Sequence, residues 1–120
     1  MEHLVAVYGS LKQGHFNHDL LKGSEFVGED RLFEFTLYDL GLFPAIKRGG
    51  SESVLVEIYR VSTEQLHRLD KLEGYNQGEP HKSLYLRIEV ESSFGSVWVY
   101  EYSRQVEPYS VIESGNWCPE

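Results

Sequence analysis

The chain has 120 residues, 41% of them apolar, which fits one domain that can bury a core without disulfides or metals. We therefore expect residues 1–120 to form a single domain. The net charge of −8 and the few Lys and Arg residues disfavour a surface for the phosphate backbone, so nucleic acid is not an expected partner.

An oxidising compartment and a membrane-bound location are also disfavoured. The single cysteine, Cys118, cannot form an internal disulfide, and its place near the chain end makes it a poor nucleophile. The N-terminal residues lack the pattern of a signal peptide, and no apolar run approaches the roughly 20 residues of a membrane span. The expected location is the cytoplasm, with no membrane partner.

The first predicted element is a strand over residues 4–8, where apolar side chains on both alternating faces indicate burial on both sides. A short helix follows over residues 16–22. Leu20 and Leu21 should face inward, and Gly23 should supply the left-handed residue that ends the helix.

Several strands fill the middle of the chain. Residues 26–38 predict one long strand, or two with a bulge, with an irregularity at Gly28 and a turn at 39–41. A second turn is predicted at 49–51, where two glycines precede a serine, before a strand over 54–59.

The clearest predicted helix covers residues 63–73. Ser62 and Gln65 have the spacing of a capping box, and Gly74 is placed to end the helix. The inward apolar stripe consists of Leu66, Leu69 and Leu72.

A polar loop over residues 75–83 leads to a hairpin of strands 84–90 and 96–102. The order of elements contains too few helices to cover two faces of a parallel sheet. The chain therefore predicts an α+β fold with a curled or closed sheet.

The segment Gly9-Ser10-Leu11, with Gly14 soon after, follows the first buried strand. Backbone N–H groups in such a glycine-containing turn can bind a carboxylate or a phosphate. A nucleotide-binding P-loop is excluded, because His15 and Phe16 occupy the positions of its Lys and Ser/Thr. From the residues alone, an ordinary strand-to-helix turn remains the alternative.

Two acids, Asp70 and Glu73, lie three residues apart on the predicted helix and therefore share a face. The two carboxylates could serve one site, or both could be ordinary solvated acids. Glu73 falls in the last turn, where the negative end of the helix dipole disfavours a charged carboxylate. If it is also desolvated, its proton affinity should rise, as suits a general base.

Other catalytic chemistries find no support. Ser10 is not in the Gly-x-Ser-x-Gly turn of a serine hydrolase, and its hydroxyl is better suited to hydrogen bonding. No metal is expected, because the histidines lack paired ligand spacing; they are His3, His15, His18, His67 and His81.

Taken together, these segments resemble the γ-glutamylcyclotransferase-like family. Its two signature segments are similar to Val7-Tyr8-Gly9-Ser10-Leu11-Lys12-x-Gly14-x-x-Asn17 and Leu69-Asp70-Lys71-Leu72-Glu73-Gly74-Tyr75. Further matching segments, in the same order as in the family, are 37–46, 56–59, Tyr85-Leu86-Arg87 and Ser114-Gly115-Asn116-Trp117. The small size is most similar to the γ-glutamylamine cyclotransferase branch.

The resemblance implies a small mixed β-barrel flanked by short helices, with Glu73 as the catalytic residue. The substrate-binding residues that it implies are Tyr8, Gly9, Ser10, Leu11 and Tyr85. Asn116 departs from the family's Asp, which puts a charge or salt bridge at the C-terminal corner in question.

The chemistry implied is cyclisation of a small-molecule γ-glutamyl compound. The α-amine attacks the γ-carbonyl of its own glutamyl group, giving 5-oxoproline and a free amine, with proximity built into the substrate. The protein must supply a proton carrier and a grip on the α-carboxylate, and it needs no cofactor. The alternatives are a non-catalytic binding module and a γ-glutamyl amide hydrolase, and the leaving amine and oligomeric state stay open.

Overall fold

The computed structural model describes residues 2–15, 17–107 and 109–117, with residue 51 described by its backbone alone. The predictions on Phe16 and Cys118 therefore fall outside the described residues. The described residues form an α+β fold, as predicted, with six strands, one α-helix and two short 3₁₀ helices. The strands are β1 (Glu2–Val7), β2 (Glu25–Asp39), β3 (Pro44–Ser62), β4 (Tyr85–Ser92), β5 (Gly95–Tyr102) and β6 (Ser110–Val111); helix α1 is Thr63–Glu73, and the 3₁₀ helices are His18–Leu21 and Pro80–Lys82.

The strands form one mixed sheet in the order β4-β5-β1-β3-β2-β6. All neighbours are antiparallel except β1 and β5, which are parallel. The prediction of a closed barrel is wrong, because within the described residues β4 and β6 remain the two edges. The β4–β5 turn contacts β2 without adding a ladder: Ser93 donates its backbone N–H to Asp30 Oδ2 at 2.7 Å, and the Phe94 ring lies over Gly28. The sheet is curled but open.

Strands β2 and β3 carry the curvature. Their register shifts between Phe26 and Gly28, which confirms the predicted irregularity, and again between Phe33 and Phe35. The predicted turn at 49–51 is wrong, because β3 continues through it as a bulge. The two glycines there take φ of 114° and 87°, so the extra residues loop out without ending the strand.

Helix α1 begins and ends as predicted. Ser62 and Gln65 form a reciprocal capping box, and Gly74 ends the helix in a left-handed conformation. Leu66 and Leu69 are buried, but Leu72 is 40% exposed, so the predicted inward stripe is one residue too long.

The first 3₁₀ helix is shorter than the predicted helix over 16–22. Leu21 is buried as expected, but Leu20 is 36% exposed, and the prediction that it faces inward is wrong. A single turn of four residues can direct only part of its side chains toward one neighbour. Gly23 has a φ of 88°, as predicted.

Strand β1 lies between β5 and β3 and spans Glu2–Val7, where 4–8 was predicted; its residues 5–7 are buried on both faces, as predicted. Val5 and Val7 pack in a core that includes the buried face of α1, while Ala6 and Tyr8 pack in a second core on the opposite side. None of the helices in the described part of the chain has both the length and the apolar character that crossing a bilayer requires.

The C-terminal segment packs against β3. Leu55 donates its backbone N–H to the Gly115 carbonyl at 2.8 Å, and Trp117 is buried in the second core. A side chain at position 115 would place its Cβ only 2.1 Å from the Ser53 carbonyl oxygen, and φ there is 71°. Only glycine allows this close approach.

Candidate active site

One cavity of about 290 Å³ lies where the end of β1, the β2–β3 turn, the end of α1 and the start of β4 meet. Every residue predicted for the site lines it, together with several that the sequence analysis did not assign. The predicted residues are Tyr8, Gly9, Ser10, Leu11, Glu73 and Tyr85; the additional ones are Ala6, Val7, Asn17, Leu42, Phe43, Pro44, Leu72, Leu84 and Tyr100.

The loop after β1 owes its glycine to close packing. A Cβ on Gly9 would lie 2.8 Å from Pro44 Cγ, so the loop and the β2–β3 turn could not approach as they do. Gly9 is not among the glycines with positive φ. Steric contact, not backbone handedness, selects glycine at this position.

The loop after β1 is held by hydrogen bonds from Asn17, which follows it in the chain. Asn17 donates its backbone N–H to the Ser10 carbonyl at 2.9 Å and its side-chain amide to Ser10 Oγ at 2.8 Å. The Ser10 hydroxyl accepts in this contact, so its own proton can still be donated to a ligand. Within the described residues, no protein group accepts from the backbone N–H groups of Ser10 and Leu11. These two donors suit an anion.

Lys12 ties the same loop to the C-terminal segment. Its ammonium group is buried and donates to Asn116 Oδ1 at 2.6 Å and to the Trp117 carbonyl at 2.9 Å. Asn116, where the resemblance leads one to expect Asp, therefore accepts a hydrogen bond from lysine but contributes no negative charge. The loop and the C-terminal segment are thus hydrogen-bonded through a neutral acceptor.

Glu73 closes the cavity on the helix side. It is the last residue of α1, and burial raises the pKa of its carboxyl from 4.5 to about 7. The residue as a whole keeps some exposed surface, but the carboxylate faces the cavity. In the described part of the chain, no group donates a hydrogen bond to this carboxylate. A desolvated acid without partners binds and releases protons near neutral pH.

Three tyrosines line the cavity together with Glu73. Burial is the main cause that raises the pKa of Tyr8, Tyr85 and Tyr100, and the charge of Glu73 contributes in each case. Tyr8 donates its hydroxyl proton to the Tyr100 carbonyl at 2.7 Å, and Tyr85 donates to the Pro44 carbonyl at 2.6 Å. With their protons committed, these hydroxyl oxygens can only accept from a ligand such as an ammonium group.

Asp70 has a different role from Glu73, so the idea of two carboxylates serving one site is wrong. Asp70 is 7% exposed and accepts from Arg87 Nη1 at 3.1 Å and from the Tyr100 hydroxyl at 2.7 Å. Arg87 in turn lies over the rings of Tyr75 and Trp98. This buried network joins α1 to β4 and β5.

Sequence reasoning missed Tyr100 and the role of Asp70. The signal for Tyr100 was the alternation of side chains along β5, which places Val97 in one core and Tyr100 in the other. Assigning each face of β5 to a core requires the strand register of the bulged sheet, which the sequence does not give. The signal for Asp70 was Arg87 in the Tyr-x-Arg segment, which supplies the one cation that a buried helix acid needs. The described residues contain no group of three His, Cys, Asp or Glu side chains that could hold a metal ion.

Comparison with known proteins identifies the family of this chain. The family model described as "Gamma-glutamyl cyclotransferase, AIG2-like" matches residues 5–119. The chain belongs to this family. The match runs from β1 to the C-terminal segment and so includes every residue of the cavity.

Individual relatives span almost the whole chain. A Vibrio cholerae protein proposed to be a gamma-glutamylcyclotransferase is 40% identical over 119 residues, covering 98% of this chain and 97% of its own. The Escherichia coli gamma-glutamylcyclotransferase family protein YtfP is 33% identical over 113 residues, with 94% of each chain covered. Among solved structures, an uncharacterized protein from Pyrococcus horikoshii superposes with a TM-score of 0.79 at 29% identity, covering 95% of this chain and 88% of that one.

Proposed function

We propose that this chain is a γ-glutamylcyclotransferase, which converts a γ-glutamyl amine or peptide to 5-oxoproline and releases the free amine. The observation that carries the proposal is the position of Glu73, a carboxyl group with a pKa of about 7 and no hydrogen-bond donor in the described residues, across one cavity from the loop of Gly9, Ser10 and Leu11. Family membership supports the same reaction.

The loop binds the α-carboxylate. The N–H groups of Ser10 and Leu11 donate to it, and the Ser10 hydroxyl can add a third hydrogen bond. This grip places the α-ammonium group toward Glu73 and the tyrosine oxygens, which are the negative and accepting groups of the cavity. The substrate is then folded with its amine close to its own γ-carbonyl.

Glu73 moves the protons. It removes a proton from the α-ammonium group, and the free amine attacks the γ-carbonyl carbon to form the ring C–N bond. The bond to the leaving nitrogen then breaks. In total the ring nitrogen loses two protons and the leaving nitrogen gains two, so Glu73 carries a proton twice and ends deprotonated. A group with a pKa near the working pH can both accept and donate.

The test is incubation with γ-glutamyl compounds in ¹⁸O-labelled water, followed by mass spectrometry. We expect unlabelled 5-oxoproline, because a nitrogen of the substrate attacks the carbonyl and water does not. Labelled glutamate would instead establish the hydrolase alternative. Binding of γ-glutamyl compounds without any product would establish the non-catalytic alternative.

A further inference from the structure

The two proposed anion donors, Ser10 and Leu11, are the central residues of a turn that is held at both ends. Lys12 donates its backbone N–H to the Gly9 carbonyl at 3.0 Å, which closes the turn. At the first end, Gly9 packs closely against Pro44. The position of the two donor N–H groups therefore also depends on what holds the second end, at Lys12.

Lys12 holds that second end from outside the cavity. The residue is 5% exposed and is not among those that line the cavity. Its ammonium group donates to Asn116 Oδ1 at 2.6 Å and to the Trp117 carbonyl at 2.9 Å. Losing these acceptors would leave a desolvated charge, which is costly in a protein interior. The side chain is therefore fixed, and it restrains the backbone next to Leu11.

The C-terminal segment, residues 112–117, contacts β3 next to the point where β1 ends. Val7, the last residue of β1, pairs with Glu57 of β3. Two residues earlier in β3, Leu55 donates its backbone N–H to the Gly115 carbonyl at 2.8 Å. The segment is thus docked on the sheet by a contact that does not involve the loop, so it can act as a support for the lysine.

We propose that Lys12 is a positioning residue, which couples the docked C-terminal segment to the binding of the substrate carboxylate by the loop. This inference rests on the proposed cyclotransferase function. With Lys12 anchored, the turn is already ordered for the ligand. Without the anchor, binding must also order the turn, which lowers affinity. Because coupling between two sites is reciprocal, a bound carboxylate also stabilises the docking of the C-terminal segment.

The first test is Lys12→Met, which keeps the apolar stem of lysine and removes the ammonium group. The KM for a γ-glutamyl compound, and the Kd for 5-oxoproline measured by calorimetry, should each rise by about tenfold if the turn is then competent in about a tenth of the molecules. The kcat should stay within about twofold of wild type, because Glu73 is unchanged. A fall in kcat at constant KM and Kd would overturn the positioning role.

Variants of Asn116 leave Lys12 in place and keep the test valid if Lys12→Met does not fold. Asn116→Leu removes one acceptor and should raise the Kd for 5-oxoproline by about threefold or more, whereas Asn116→Asp keeps an acceptor and should retain the wild-type affinity. Arg31→Ala is the control. Its guanidinium contacts the same segment at the Ser114 carbonyl and has no hydrogen bond to the loop, so the Kd should not change. Equal affinities in Asn116→Leu and Asn116→Asp would contradict the coupling.

Hydrogen exchange provides a measurement that a purely structural lysine would not affect. Saturating 5-oxoproline should slow exchange of the Leu55 N–H, which reports docking of the C-terminal segment, relative to amides of the β4–β5 hairpin. By reciprocity, the factor should match the change in Kd caused by Lys12→Met, and the effect should disappear in that variant. Equal slowing in both proteins would overturn the coupling.

The outcomes separate this inference from the function on which it rests. 5-Oxoproline formation with the same KM in wild type, Lys12→Met and Asn116→Leu would overturn the role of Lys12 and leave the cyclotransferase standing. No 5-oxoproline from any γ-glutamyl compound would contradict the proposed function, and the positioning role would fall with it.

Discussion

Asp70 and Glu73 stand three residues apart on α1, yet they are in opposite situations. Asp70 is surrounded by donors, with Arg87 and the Tyr100 hydroxyl both directed at its carboxylate. Glu73 has no hydrogen-bond donor in the described part of the chain, and burial raises its pKa to about 7. One helix thus supplies a carboxylate fixed in a structural network and a carboxylate left available for proton transfer.

The difference shows that burial of an acid does not by itself indicate its role. A buried acid paired with a cation stabilises the fold when the pair is intact, and removing one partner leaves an uncompensated charge. A buried acid without partners destabilises the fold at neutral pH but gains a proton affinity suited to catalysis. The partners of each carboxylate therefore decide which variant loses stability and which loses activity.

The largest expected effect is on activity, from Glu73→Gln. Gln keeps the shape and helix propensity of Glu but cannot exchange a proton, so 5-oxoproline formation should fall by about 10²–10⁴-fold or more. The protein should stay folded, as thermal melts will check. Glu64→Gln, on the exposed side of the same helix, is the matched control and should keep full activity. An active Glu73→Gln enzyme would contradict the assignment.

The second largest expected effect is a loss of stability in the variant Asp70→Asn. This change leaves the buried Arg87 without a counter-charge and should lower the free energy of unfolding by about 3–5 kcal/mol. The control is again Glu64→Gln, which breaks the exposed ion pair with Arg68 on the same helix and should cost less than about 1 kcal/mol. Denaturant titrations of both variants compare the two pairs. Equal losses would show that the Asp70 network is no stronger than a surface pair.

Gly9→Val should have a moderate effect on both properties. Its side chain would collide with the Pro44 ring and push the loop from the β2–β3 turn, costing about 1–3 kcal/mol of stability. Affinity for 5-oxoproline, measured by calorimetry, should fall because the loop donors move. Gly78→Ala is the control, since a Cβ there meets only Asn76 Oδ1 at an ordinary 3.6 Å. Unchanged affinity in a folded Gly9→Val protein would remove the loop from the site.

The smallest effect is the pH dependence of stability due to Glu73. Its pKa rises from 4.5 to about 7 on folding, so between these values the native state binds more protons than the unfolded state. Stability due to this group is therefore lost as pH rises through that window. The free energy of unfolding of Glu73→Gln, relative to wild type, should rise by on the order of 1–2 kcal/mol from the lower to the upper end of this pH window, with allowance for the partial exposure of Glu73. If the difference in unfolding free energy between Glu73→Gln and wild type stayed constant across this pH window, it would contradict the desolvation of Glu73.

The features that the sequence predicted correctly are those with local signals. Helix α1 has its capping box and terminal glycine within the helix itself, so its bounds follow from neighbouring residues. The residues proposed for the site come from the end of β1, the end of α1 and the start of β4, and they line one cavity, while their catalytic and binding roles stay predictions. Their grouping was implied by the family resemblance, because spacing along the chain cannot bring β1 and α1 together.

The features that were missed depend on long-range packing. The role of Asp70 depends on Arg87, which comes from β4, and that of Gly9 depends on Pro44, which comes from β3. The bulge at 49–51 reads as a turn in the sequence, because the pairing with β2 that continues the strand is not visible locally. Closure of the sheet likewise depends on whether the β4–β5 hairpin forms backbone hydrogen bonds with β2. The residues of the hairpin do not indicate whether it does.

The most direct test of the contrast between the two carboxylates is a ¹³C NMR titration of the Glu73 side-chain carboxyl in the folded protein. Glu73→Gln identifies its resonance by removing it. We predict a midpoint at about pH 7, which burial without a partner produces and which proton transfer in both directions requires. A midpoint near the ordinary 4.5 would show a solvated helix-end acid and contradict the account.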